Sequence, residues 1–173
     1  MISNIEAQNF LDISKKVYLS TDTLDKYDFM VEGKKDRLYM VSFPELEYSF
    51  FLEVYQSAKM QLKLTLHLQE DDISLPLMRI DFGGTHKNPE EPNKNVPAFL
   101  IPFKGTIFKH NQPHIHYYVQ GQGTDWALPL DNDSFPIKKI VSNNDKREAI
   151  LAMAQKVNLL TDLEVIIQSE VAL

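Results

Sequence analysis

Two histidines separated by a single residue are the sharpest local feature of the chain. They are His114 and His116, in the segment Pro113-His114-Ile115-His116-Tyr117-Tyr118. On a β-strand, residues two apart project from the same face about 7 Å apart, so both imidazoles would point one way, with Tyr118 behind them. Two adjacent imidazoles can chelate a divalent metal, or act as acid and base on a phosphate ester. Hydrogen-bonded histidines without a functional role are the alternative.

A second pair with the same spacing, Arg79 and Asp81, lies on an earlier predicted strand. Taken alone, such a pair is most simply an ion pair on one face of the strand. His86 follows two glycines at the start of a long polar loop, where glycine permits a sharp turn. If all these side chains face the same way, they line a polar pocket, so we take Arg79, Asp81, His86, His114 and His116 as the candidate catalytic residues.

The composition narrows the chemistry that this set could perform. The chain has no cysteine, which excludes disulfides, thiolate catalysis and sulfur-ligated zinc, and leaves histidine and carboxylate as the strong metal ligands. The net charge of −6 disfavours a general nucleic-acid-binding protein. Residues 79–118 nevertheless carry a net charge of +2, which favours an anionic substrate.

The best hypothesis from these residues is a nuclease-like enzyme that cleaves phosphoesters. His114 and His116 would form the acid/base pair, and His86 would be a second base or a ligand. Arg79 would stabilise charge on the phosphate, and Asp81 would orient a histidine. In a metal-assisted variant the three histidines would hold a divalent cation. Two alternatives stay open: a non-catalytic module that binds a small anion or a protein partner, and a His-based metal-binding protein. The sequence requires no cofactor and does not specify an oligomeric state.

The elements that must position these residues are mostly β-strands with one helix towards each end. A capping box at Ser3 and Glu6 begins the first helix. The predicted elements are a helix from about Asn4 to Val17, a loop at Ser20–Asp25, strands at Tyr27–Val31, Arg37–Phe43, Tyr48–Tyr55, Met60–Gln69, Leu75–Phe82, Ala98–Phe103, His114–Val119 and Trp126–Leu130, a helix from Ser142–Asp145 to about Val157, and a last strand at Leu163–Ser169. The first two strands are predicted to form a hairpin.

Successive strands with short polar connections indicate one α+β domain over residues 1–173. We expect an antiparallel meander, strongly curved or barrel-like, with the N-terminal and C-terminal helices packed on it. No apolar run approaches the roughly 20 residues that span a membrane. The first residues mix polar and apolar side chains, unlike a secretory signal. We therefore expect a cytoplasmic protein without a membrane partner.

Four short motifs occur together in the central third of the chain. They are R-x-D at Arg79–Asp81, G-x-H-x-N at Gly84–Asn88, P-H-x-H-x-Y at Pro113–Tyr118 and W-A-x-P-L at Trp126–Leu130. In combination they resemble the motif set of a bacterial family of domains of unknown function. The resemblance implies that these positions belong together as a set, and it implies no particular reaction.

Overall fold

The structure, a computed structural model, describes residues 1–57 and 62–168. Within these ranges the chain forms two α-helices and twelve β-strands. The helices are α1 (Asn4–Asp12) and α2 (Asn143–Lys156), and the strands are β1 (Lys15–Leu19), β2 (Asp22–Leu24), β3 (Lys26–Val31), β4 (Lys35–Ser42), β5 (Ser49–Gln56), β6 (Leu64–Glu70), β7 (Leu75–Phe82), β8 (His86–Lys87), β9 (Ile107–Phe108), β10 (His114–Val119), β11 (Gly123–Pro129) and β12 (Asp162–Ile167). No helix in this part of the chain is long and apolar enough to cross a membrane.

Eight of the strands form one antiparallel sheet in the order β11-β10-β7-β6-β5-β4-β1-β2. Strands β4 to β7 follow one another as a meander, and the β10–β11 hairpin is added beside β7. The sheet is not closed, since β11 and β2 each have a neighbour on one side only. The predicted antiparallel α+β architecture with an N-terminal and a C-terminal helix is therefore confirmed, whereas the barrel-like form is not observed.

The strand sequence of β6 explains why the sheet has one apolar and one polar face. Leu64, Leu66 and Leu68 have no exposed surface, while Thr65 and His67 between them are half-buried. Alternate residues of a strand point to opposite faces, so the leucines join the core cluster to which both helices contribute. The other face of the sheet is left for polar side chains.

A buried lysine ties the two helices to the sheet. Lys15, at the start of β1, has no exposed surface. Its Nζ donates hydrogen bonds to the carbonyls of Leu11 at 3.2 Å, Ile13 at 2.8 Å and Val157 at 2.8 Å. An ammonium has three donors, so all of them are used on carbonyls at the C-terminal ends of α1 and α2.

Two predictions at the N-terminal end are wrong. Helix α1 ends at Asp12, and Val17 lies on β1, because apolar residues at this spacing suit a strand as well as a helix. The segment predicted as the loop Ser20–Asp25 contains the short strand β2.

Pairing overturns a third prediction. Strand β3 does not form a hairpin with β4 but pairs in parallel with β12, from the far end of the chain. The predicted strand Ala98–Phe103 is absent too, because Pro102 interrupts this run and Ile101–Phe103 forms a 3₁₀ turn. The strand predicted to begin at Met60 begins at Leu64 within the described residues, and Met60 and Gln61 lie outside them. Ser169, the predicted end of the last strand, also lies outside the described residues.

Candidate functional site

The register between β7 and β10 brings the candidate residues together. Asp81 lies directly opposite His114, and Arg79 lies directly opposite His116. Directly opposite residues of antiparallel strands share a face, so all four side chains project from the polar face of the sheet. The expected common face is thus observed.

Asp81 is the centre of this group. Its Oδ2 accepts a hydrogen bond from Arg79 Nε at 2.8 Å, and its Oδ1 accepts one from Thr65 Oγ1 at 2.7 Å. The same Oδ2 lies 3.2 Å from His116 Nε2 and 3.7 Å from His114 Nε2. Burial alone would raise the pKa of Asp81, but the Arg79 guanidinium and the hydrogen bond from Thr65 oppose burial and keep that pKa below its usual range. Asp81 is therefore an ionised carboxylate.

The hydrogen bonds of the two buried histidines define their tautomers. Nδ1 of His114 lies 2.9 Å from the carbonyl oxygen of Gln112, and Nδ1 of His116 lies 2.9 Å from that of Thr124. A carbonyl only accepts, so both Nδ1 atoms carry the hydrogen. Arg79 Nη2, which only donates, lies 3.0 Å from His116 Nε2 and requires the same assignment. Burial lowers the pKa of both histidines, to about 4 for His116, so both are neutral at pH 7.

Nε2 of His114 has no hydrogen-bond partner within the described ranges. The residue has no exposed surface, and an unsatisfied buried polar atom is rare because it costs free energy. This atom lies 3.7 Å and Nε2 of His116 lies 3.2 Å from the same oxygen, Oδ2 of Asp81, and one ligand atom from each of the three residues lies within 4.8 Å of the other two. Three unprotonated acceptors thus converge on one buried point, as ligands do around a metal ion.

A two-stranded ribbon, formed by β8 and β9, lies over the two histidines. The His86 ring packs edge-on against His116, with centroids 4.5 Å apart. Phe108 stacks on His114, also with centroids 4.5 Å apart. His86 is not part of the converging group, because its Nε2 donates a hydrogen bond to the carbonyl of Asp125 at 2.8 Å. His86 instead belongs to the ribbon that covers the site.

Asn88 attaches the ribbon to the edge of the sheet. Its side-chain nitrogen donates to the carbonyls of Ala127 at 2.7 Å and Phe103 at 2.9 Å, and its side-chain oxygen accepts from Ala127 N at 2.9 Å. Together with the bond from His86 to Asp125, two side chains thus pair with the backbone of edge strand β11. The G-x-H-x-N motif is explained by this attachment.

The glycine of that motif has a separate steric reason. A Cβ at Gly84 would lie 3.3 Å from Cβ and 3.4 Å from Cγ of Asp81, closer than most real Cβ contacts. The preceding Gly83 has φ of +87°, a conformation that glycine adopts without strain. The turn after β7 therefore passes directly against the Asp81 side chain.

The structure adds one residue near the site and corrects the expectation for another. His67, which alternates with the buried leucines of β6, is half-buried directly opposite Arg79. Tyr118 was expected behind the two histidines, but its hydroxyl donates to the carbonyl of Ile2 at 2.9 Å, and β10 is irregular between Tyr117 and Val119.

Three further contributors were not anticipated, namely Thr65, Phe108 and Thr124. Asn88 was part of a motif, but its role as an anchor was not predicted. Thr65 could have been found from its position two residues before His67 on β6. No sequence pattern around Phe108 or Thr124 indicates a role in the site. Both residues reach it only because the ribbon and strand β11 fold back next to β10.

The fold and the buried group together define an α+β protein with an open antiparallel sheet and a covered Asp-His-His cluster. The chain belongs to a family of unknown function (DUF6978), whose family model matches residues 2–159. The predicted resemblance to a family of domains of unknown function is confirmed by this match, and its bacterial origin stays a prediction. Comparison with curated proteins finds no match, and comparison with solved structures finds none.

Proposed function

We propose that this protein binds one divalent metal ion through Asp81, His114 and His116. The observation that carries the proposal is the convergence of three unprotonated ligand atoms, one of which, His114 Nε2, is buried without a hydrogen-bond partner among the described residues. Arg79 donates hydrogen bonds to the other two atoms, Asp81 Oδ2 and His116 Nε2. A cation bound between the three atoms would satisfy all of them at once.

The surroundings of the three ligands support the same conclusion. Histidines that bind metals usually donate their other ring N–H to a carbonyl or carboxylate, which fixes the ring and its tautomer. His114 and His116 both do so, to Gln112 and Thr124. Thr65 holds the second oxygen of the carboxylate in the same way.

The donor set also restricts which metal would bind. Two imidazole nitrogens and one carboxylate oxygen suit Zn²⁺, Fe²⁺ or Co²⁺ better than Mg²⁺ or Ca²⁺, which prefer oxygen ligands only. Three protein ligands leave at least one coordination position for a molecule that does not belong to the chain. The site is thus suited to binding or activating a small ligand on the metal.

Metal titration of the untagged protein tests the proposal. We expect one Co²⁺ or Zn²⁺ per chain, followed by the visible absorption of Co²⁺ and by calorimetry. His114→Ala should weaken binding more than about 100-fold, since loss of supporting contacts alone costs 10- to 100-fold. His110→Ala is the matched control, because His110 is exposed and lies outside the ligand group.

His114→Gln accompanies the alanine variant, because it leaves a smaller cavity and retains a polar group at a fully buried position. Melting curves of both variants show whether they fold. Wild-type protein that binds neither ion, or folded variants that bind it as wild type does, would contradict the proposal.

Phosphoester cleavage by the same residues is the second candidate function. The observation that favours it is the direct contact of Arg79 with both Asp81 and His116, which this chemistry would use. His114 and His116 have no exposed surface, however, so a substrate could reach the imidazoles only if the ribbon moved. We rank it second for that reason. Hydrolysis of a bis-nitrophenyl phosphate that is lost in folded His116→Ala protein would support it, and equal rates in both proteins would contradict it.

A further inference from the structure

Arg79 occupies the place that the metal ion would need. Its Nε lies 2.8 Å from Asp81 Oδ2 and its Nη2 lies 3.0 Å from His116 Nε2, and both acceptors belong to the proposed ligand set. The single lone pair of His116 Nε2 can serve either the guanidinium or the metal, whereas Asp81 Oδ2 has a further lone pair for the metal. An ion that binds there must therefore displace the guanidinium from His116.

The displaced side chain remains close to the ion. Arg79 is anchored on β7 between His67 on one side and His116 on the other. Its side chain is 33% exposed, so the guanidinium can turn towards the open polar face while the stem stays in place. The result is a guanidinium beside a metal that has a free coordination position.

The charges of such a site do not balance without an additional anion. A divalent ion and Arg79 bring three positive charges, whereas Asp81 brings one negative charge. Glu53, two strands away on the same face, is already paired with Arg37 at 2.8 Å and Lys35 at 3.5 Å. Uncompensated charge in a largely buried site is costly, so a bound anion stabilises it.

From these three observations we infer that the metal is bound together with a small oxyanion, held between the ion and the Arg79 guanidinium. This inference rests on the proposed metal site. Guanidinium groups bind carboxylate and phosphate oxygens with two parallel hydrogen bonds, and a second oxygen of the same anion can complete the coordination of the metal. The ligand class is therefore a compound with a carboxylate or a phosphate group.

The test is the affinity for Co²⁺ in three buffers of equal ionic strength, with free Co²⁺ set by a chelator. One buffer contains chloride, the second formate and the third inorganic phosphate. We expect an oxyanion to tighten Co²⁺ binding by about tenfold over chloride, within the range of typical coupling between two ligands. An effect of formate alone identifies a carboxylate ligand, one of phosphate alone a phosphate ligand, and an effect of both the shared oxyanion chemistry.

Two variants connect the effect to Arg79. Arg79→Gln should bind Co²⁺ more tightly than wild type in chloride, because the competing guanidinium is gone, and should lose the response to oxyanions. Arg37→Gln, on the same face and paired with Glu53, should keep that response. Equal affinities in all three buffers, or an unchanged response in Arg79→Gln, would overturn the inference and leave the metal proposal standing. Wild-type protein that binds no Co²⁺ in any buffer would instead contradict the metal proposal itself.

Discussion

Removing the Asn88 side chain is expected to loosen the ribbon over the histidines without unfolding the sheet. Asn88 is 1% exposed, and its side chain makes three hydrogen bonds, two of them to the backbone of Ala127, which has no exposed surface. Each such bond contributes about 1 kcal/mol net. Asn88→Ala should therefore reduce the free energy of opening the ribbon by about 3 kcal/mol. Since 1.4 kcal/mol is a factor of ten, opening should become on the order of 100-fold more frequent.

Hydrogen exchange measures this opening directly. In Asn88→Ala, amides of residues 84–110 should exchange on the order of 100-fold faster, while those of β5 and β6 should keep their wild-type rates. Asn111→Ala is the control, because Asn111 is an exposed asparagine next to the same segment. Unchanged exchange in residues 84–110, or a uniform increase over the whole chain, would refute the view that Asn88 holds the ribbon.

Three further predictions concern the pH dependence, the turn after β7 and the helix ends. Burial lowers the pKa of His116 from 6.5 to about 4, so the unfolded chain binds more protons than the folded chain between these pH values. The free energy of unfolding of the metal-free protein should therefore fall by about 3 kcal/mol from pH 6.5 to pH 4. Denaturant titrations measure this fall, and His116→Asn should show a smaller dependence of stability on pH. Gly84→Val should push against Asp81 and weaken Co²⁺ binding about tenfold, unlike Gly33→Val, where a Cβ meets nothing closer than 3.7 Å. Lys15→Met removes three hydrogen bonds worth about 1 kcal/mol each but also a costly buried charge, so denaturation should show a net loss of about 2 kcal/mol.

Elements whose apolar residues recur with one clear helical or strand period were predictable from the sequence. Strand β7 has the predicted bounds Leu75–Phe82, and β10 begins and ends as expected at His114 and Val119. Helix α2 begins at Asn143, within the predicted range Ser142–Asp145, and the Ser142 side chain caps it by accepting a hydrogen bond from Asp145 N. In these segments the local pattern and the tertiary environment favour the same structure.

Pairing over long distances could not be predicted. The partner of β3 is β12, which lies more than 130 residues later in the chain, and no local pattern encodes their parallel register. The site could be predicted because its four central residues lie on two strands, two residues apart on each. Only the register between these strands was needed to bring the residues together. The ribbon could not be predicted, because the contacts of Asn88 and Phe108 depend on how the loop folds back over the sheet.

The most direct test of metal binding by this cluster is the state of the histidine ring nitrogens, read from long-range ¹H–¹⁵N correlations at pH 7 before and after addition of Zn²⁺. We expect neutral His114 and His116 with the hydrogen on Nδ1, and a change of both Nε2 resonances when one equivalent of Zn²⁺ binds. His110 should not respond. Imidazolium forms of His114 and His116 at pH 7, or a Zn²⁺ response limited to the exposed histidine, would contradict metal binding by this cluster.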